Sequence, residues 1–240
     1  MASGSAEPLV LGLDTAMVVT VGLARGGVPI GAAVIPDRMT QVEQLTPVIA
    51  EVCRKAGVQV GQLDQIVVGL GPGPFTGLRV GIVTARILAE VVGADLHGVC
   101  SLDGIAAHFV SSPVSDNPDG PGEPAGGFVV ATDARRREVY WALYGADGVR
   151  SAGPYVSVPA EVPRQPTIGP AADLYPELLH AVPGPRSLDP SVLAVRGPSL
   201  PSAGQQPLYL RRPDAAEPGR RKSVLRRADR GPGPRTGTRR

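Results

Sequence analysis

Residues 69–81 read Gly-Leu-Gly-Pro-Gly-Pro-Phe-Thr-Gly-Leu-Arg-Val-Gly. They follow an apolar run, Ile66-Val67-Val68, and open an apolar helical run that lasts to about Val92. A glycine- and proline-stiffened turn between strand and helix is where α/β folds often build anion sites. The known phosphate motifs do not fit it. A Walker loop needs a Gly-Lys-Ser/Thr ending, and this stretch has no lysine. A dinucleotide fingerprint counted from Gly71 and Gly73 needs a third glycine where Thr76 stands. Gly71, Gly73, Phe75, Thr76 and Arg79 therefore define a rigid turn rather than a recognisable cofactor loop.

In the helix that follows, Gly77, Gly81, Ala85 and Ala89 are spaced by four and form one stripe almost without side chains. Two interior glycines cost roughly 1 kcal/mol each relative to alanine, so close approach by another backbone is expected there. Leu78, Ile82, Val83, Ile87, Leu88 and Val91 make most of the remaining surface apolar. A helix apolar on most sides needs cover on most sides. Its own sheet supplies one cover, and a second helix, from this chain or a partner, supplies the other.

Upstream, residues 9–15 form a nearly continuous apolar strand ending in Asp14-Thr15, with further strands expected over Met17–Ala24 and Val28–Pro36 as an antiparallel meander. Val42, Leu45, Ile49 and Val52 then recur at helical spacing, and Pro47 either begins that helix, with Thr46 as its cap, or kinks it. Downstream, Leu96–Cys100 reads as a strand and Leu102–Val110 as a helix, and 111–126 is a Pro/Gly-rich loop. The pattern then restarts. Phe128–Asp133 is a second apolar strand ending in aspartate, followed by strands at Glu138–Tyr144 and near Tyr155–Val158. Strand, aspartate, strand, strand thus occurs twice, 119 residues apart, as a duplicated ribonuclease-H-like unit would leave it. Beyond Val158 a short helix is expected over Ala171–Ala181, and 183–206 lack helical periodicity.

Four segments resemble the TsaB (YeaZ-like) family. They are the glycine turn, Leu9-Val-Leu-Gly-Leu-Asp-Thr-Ala16, Thr132-Asp-Ala-Arg-Arg-Arg-Glu-Val-Tyr-Trp141 and Pro207-Leu-Tyr-Leu-Arg-Arg-Pro-Asp-Ala215. The resemblance spans roughly 9–215 and implies an α/β, actin-like ATPase fold of two subdomains with mixed sheets. The expected division is a disordered 1–8, an N-terminal subdomain 9–110, the loop 111–126, a partly degenerate C-terminal subdomain 127–215 and a disordered basic tail 216–240. The resemblance further implies a non-catalytic subunit for threonylcarbamoyladenosine synthesis at position 37 of tRNA. Its partners would be the catalytic (TsaD-type) transferase, the small (TsaE-type) ATPase, or a second copy when alone, with tRNA met indirectly. The partner would dock on Gly77, Leu78, Gly81, Ile82 and Ala85, with Leu45 and Ile49 of the preceding helix. ATP or ADP with magnesium would enter only at the level of the complex.

Composition bounds the alternatives. Gly and Pro make nearly a quarter of the 240 residues, 31 and 26 of them, which points to many loops. No apolar run approaches a membrane span, the N-terminus lacks a secretory pattern, and Cys53 and Cys100 form no disulfide framework, so a cytoplasmic protein is expected. The formal charge of +2 conceals a division: residues 219–240 hold nine Lys or Arg against Asp229, while the rest carry 15 basic and 21 acidic side chains. The tail either holds RNA phosphates loosely or is an incidental extension.

The chemistry-bearing residues are few. Asp14, Thr15 and Asp133 end equivalent strands and either approach magnesium and phosphate, as in actin-like ATPases, or cap the turns by accepting backbone amides. An ATPase or small-molecule kinase built on them is the rival function. His97, His108 and His180 form no His-x3-His pair, so neither a metal site nor a metallopeptidase-like glycoprotease is indicated. No catalytic nucleophile is assigned, and Cys53 reads as core. Arg135, Arg136 and Arg137 cluster at a hairpin tip, as a contact for tRNA phosphate or an acidic partner, or as a solvated turn. Trp141 alternates with Val139 and Leu143 and is expected in the core.

Overall fold

The computed structural model describes residues 7–35, 41–111 and 126–211. The expected disordered start (1–8, from residue 7 on excepted), nearly all of the 111–126 loop and the 216–240 tail lie outside the described residues.

The first sheet grows from the apolar strand β1 (Leu9–Asp14), which pairs antiparallel with β2 (Val19–Arg25), itself antiparallel to β3 (Val28–Ile35). On its other side β1 runs parallel to β4 (Gln65–Gly69), which runs parallel to β5 (Asp95–Val99). Helix α1 (Gln41–Lys55) and α2 (Phe75–Val92) make the crossovers, and α3 (Ser101–Ser111) leaves the sheet after β5. Pro47 lies inside α1, so the helix does not begin there.

The second sheet repeats the plan. β6 (Phe128–Arg135), β7 (Glu138–Tyr144) and β8 (Arg150–Ser157) form the meander, and β9 (Pro166–Ile168) and β10 (His180–Ala181) add in parallel beyond β6. The spatial orders β3-β2-β1-β4-β5 and β8-β7-β6-β9-β10 are the same. This is the duplicated α/β plan of an actin-like fold, and it places Asp14 and Asp133 at equivalent strand ends. Helix α4 is short, Pro170–Leu174, because the chain leaves helical geometry at Tyr175, the residue before Pro176.

Two expectations change here. Residues 190–196 form a helix, α5 (Pro190–Arg196). The Asp189 carboxylate accepts from the amides of Ser191 (2.7 Å) and Val192 (3.2 Å), with Pro190 in the first turn. Two turns are too short to show periodicity, so only the Asp-Pro pair signals the helix. The division at 127–215 also fails: α5 packs on β1 and β2, and β11 (Ser202–Gly204) joins the edge of the first sheet beside β5. Gly12 and Gly22 make room for α5. A Cβ on Gly12 would stand 2.8 Å from Ala194 N, and one on Gly22 1.8 Å from Pro190 O.

Leu9, Leu11 and Leu13 point to one face and pack against α1 and α2. Val10 and Val67 point to the other, into a core shared by α3, α5, Phe128 and Tyr144. That second core joins the two halves.

Candidate functional site

The glycine turn is held at the C-terminal ends of β1 and β4. The Asp14 carboxylate is buried; Oδ1 accepts from the Ala16 amide at 2.8 Å, and Oδ2 accepts the Ser101 hydroxyl. Ser101 Oγ accepts in turn from the Gly71 amide at 3.0 Å, and the Ser101 amide donates to Gly71 O at 2.8 Å. Gly69 has no space for a side chain, since a Cβ would stand 1.7 Å from Asp14 Oδ2. Burial pushes the Asp14 carboxyl up to about 6, against the opposing pull of Ser101 and the Ala16 amide. Asp14 thus stitches β1, the turn and α3 together. Asp133 works alike at its own turn, accepting from the Arg135 amide at 2.8 Å.

A magnesium–nucleotide pair of the kind actin-like ATPases use does not fit this arrangement. Both Asp14 oxygens are engaged inside the protein, in surroundings that favour the neutral acid. Thr15 is turned to α2, its hydroxyl donating to Gly77 O at 2.8 Å. Neither residue is among those lining the cavity beside the glycine turn, which Asp133 does line.

The stripe on α2 also differs from expectation. A Cβ on Gly81 would stand 2.2 Å from Thr15 Oγ1, and Ala85 and Ala89 are buried against the chain's own strands. Leu45, Ile49, Leu78 and Ile82 are in the same core. These residues cover the protein's own sheet and so are not free to meet a partner, and Gly77, half-buried, faces Thr15. What α2 leaves outside is another row: Val83, Ile87 and Val91, 50%, 61% and 76% exposed and again spaced by four.

A cavity of about 240 Å³ lies between the glycine turn (Gly73, Pro74, Phe75), the β6–β7 hairpin (Asp133, Ala134, Arg135, Arg136, Tyr140) and the segment Tyr209–Arg211. That segment is a strap. The Leu208 amide donates to Leu70 O at 2.8 Å, Tyr209 packs on Phe75 with ring centroids 4.6 Å apart, and Arg211 pairs with Glu138. Arg79 lies over the Phe75 ring, 3.8 Å from its centroid, and donates to the Tyr209 hydroxyl at 3.3 Å.

A buried polar cluster has no sequence motif to announce it. Asp103 accepts from the Tyr144 hydroxyl at 2.8 Å and from Arg150 Nε at 2.9 Å, linking α3 to β7 and β8. Burial raises the Asp103 carboxyl, with Arg150 opposing. Burial also pushes Cys100 up to about 12 and raises Cys53, so both thiols stay protonated at neutral pH. Among the described residues no group of three or more His, Cys, Asp or Glu is placed to hold a metal. Trp141 is buried beside Tyr155 and donates to Ser157 Oγ at 3.0 Å.

Residues 32–186 match the family model described as TsaD, tRNA N6-adenosine threonylcarbamoyltransferase. The chain belongs to this family. An uncharacterized protein of Mycobacterium tuberculosis is 40% identical over 213 residues, covering 86% of this chain and 93% of that one. The tRNA threonylcarbamoyladenosine biosynthesis protein TsaB of Haemophilus influenzae is 33% identical over 114 residues, 47% of this chain and 43% of its own length. YeaZ from Pseudomonas aeruginosa shares the fold, with a TM-score of 0.67 at 24% identity, covering 85% of this chain and all of that one. Within the family the chain is TsaB/YeaZ-like, and its α/β architecture is the one that YeaZ displays. The matched region runs from β3 into the β10–α5 connection and so takes in the glycine turn and the arginine hairpin.

Proposed function

We propose that this protein acts in threonylcarbamoyladenosine synthesis on tRNA as a non-catalytic subunit that binds and supports the TsaD-type transferase. Family membership and the TsaB relatives support the pathway. The observation that carries the subunit role is the exposed row Val83–Ile87–Val91 on a helix whose opposite face, Leu78, Gly81, Ile82, Ala85 and Ala89, is in the core. Three large aliphatic side chains aligned on one helix face are a start on the apolar centre of an interface, which typically buries about 800 Å² per partner. A second copy of the chain would use the same row when the transferase is missing, and the TsaE-type ATPase would add to the pair. On this reading tRNA is presented by the assembly, and ATP or ADP with magnesium enters with the partners.

Size-exclusion with light scattering on the mixed subunits tests the proposal. Ile87→Asp is expected to abolish the heterodimer, weakening it at least 100-fold, while the monomer keeps its thermal midpoint. An intact complex with this variant sinks the assignment. So does turnover of Mg-ATP by the purified chain alone.

No helix among the described residues is long and apolar enough to cross a membrane.

A further inference from the structure

The last described segment, 205–211, has no regular structure and no fully buried residue, yet it grips both halves of the molecule. It leaves β11 at Gly204, whose φ of 82° and open surroundings suit a hinge. On the first half, Arg86 of α2 donates to Gln205 O and the Leu208 amide donates to Leu70 O. Tyr209 packs there on Phe75 and accepts from Arg79. On the second half, Arg211 pairs with Glu138 and donates to Arg135 O at 3.2 Å. Leu208, between these ends, packs against the rims of both apolar cores. The strap thus bridges the cavity between the glycine turn and the β6–β7 hairpin. A segment held by exposed polar contacts, with little apolar surface buried, opens before a core does. The helix that grips the strap also carries the exposed row. Arg79 and Arg86 are seven residues apart on one flank of α2, and Val83 stands four after the first and three before the second. A partner covering the row therefore crowds both guanidinium groups. With the strap seated each keeps a hydrogen-bond acceptor; with the strap away both would lose water unpaired, which is costly.

We propose that the strap is a releasable latch: seated, it holds the two halves closed over the cavity, and a transferase docked on the Val83–Ile87–Val91 row holds it seated. The latch rests on its own contacts, and the transferase's hold on it rests on the subunit reading. The coupling is reciprocal. The seated strap raises the affinity for the partner by the factor with which the partner suppresses release of the strap.

The test uses the full chain and reads each end of the strap at the other. Cys53 and Cys100 are buried, so spin labels on Lys55→Cys and Ser151→Cys, both exposed positions, report the distance between the halves. The parent should give one distance. Tyr209→Ala should add a second, distinct one, although Tyr209 packs on the first half. Arg211→Ala removes the contact farthest from the row. Measured by calorimetry, it should nevertheless weaken transferase binding about tenfold. In the parent, saturating transferase should slow hydrogen exchange at the Leu208 amide by the same factor. Neither residue is buried, so both variants should keep the thermal midpoint of the parent within a few degrees. A Tyr209→Ala variant with the parent's single distance would overturn the latch. Protection of Leu208 by the transferase with no loss of affinity in Arg211→Ala would mean a direct contact with the strap, and would overturn the coupling. If the parent binds no transferase, the subunit reading falls and the partner's hold on the strap falls with it, while the distance measurement still decides whether the strap closes the halves.

Discussion

Asp14 shows how a residue's type and its role come apart. An aspartate at a strand end is open to two readings from sequence, metal ligand or turn cap, because the deciding group, Ser101, lies 87 residues away. In the structure the carboxyl is enclosed and its acidity falls, to a pKa of about 6 from an ordinary 3.8. The folded protein therefore binds this proton more tightly than the unfolded chain. Its contribution to stability falls as pH rises from about 4 to 6, and the penalty is complete above the folded pKa. That rise in pKa corresponds to roughly 3 kcal/mol. Asp14→Asn keeps an acceptor for the Ala16 amide and removes the titration. Measured by urea unfolding, the stability of the variant relative to the parent should rise by about 2–3 kcal/mol between acid near pH 4 and neutrality. A difference independent of pH would mean that Asp14 ionises freely in the folded protein.

Among the elements, α2 was half legible. Its length, its start after the glycine turn and its small-residue stripe can be read from the spacing of apolar and small residues. The stripe's neighbour cannot, because periodicity states that a face is bare and does not say whose backbone fills it. Here the filler is the β1 strand end. Gly81→Ala would press a methyl group on the short, branched Thr15, which has no flexible end to swing away. The substitution should destabilise the fold by about 1–3 kcal/mol in denaturant unfolding, despite the better helix propensity of alanine. A stabilised variant would mean that α2 stands off from β1 by more than this packing allows. The exposed row one face away is apolar in the same sequence pattern, and only burial separates the two. Helix α5 was missed for a different reason. Seven residues carry barely two turns, and the glycines that receive it, Gly12 and Gly22, sit on strands about 170 residues earlier, where they look like ordinary strand weaknesses.

At the scale of the molecule, the duplicated strand order was legible because each half repeats strand, aspartate, strand, strand in sequence. The joint between the halves was not, because it is made by residues that no local pattern connects. Phe128 and Tyr144 from the second sheet share a core with Val10, Val67, Leu102 and Leu193. Above that core Arg150 on β8 reaches the buried Asp103 on α3, with Tyr144 as the second donor. Removing the guanidinium takes two N–H donors, Nε and Nη2, from a buried carboxylate, but the Arg150 side chain is itself partly exposed, so the loss is expected at or just below the lower end of the range for broken buried pairs. Arg150→Met should therefore cost about 2–3 kcal/mol. The way it unfolds decides what couples the halves. Trp141, the single tryptophan, reports from β7 in the second sheet, and far-ultraviolet circular dichroism reports from both. If the shared apolar core is the coupling element, both signals will shift to lower denaturant together and keep one midpoint. If the tryptophan transition moves ahead of the dichroism, the Asp103–Arg150 pair, rather than the core beneath it, binds the second sheet to the first.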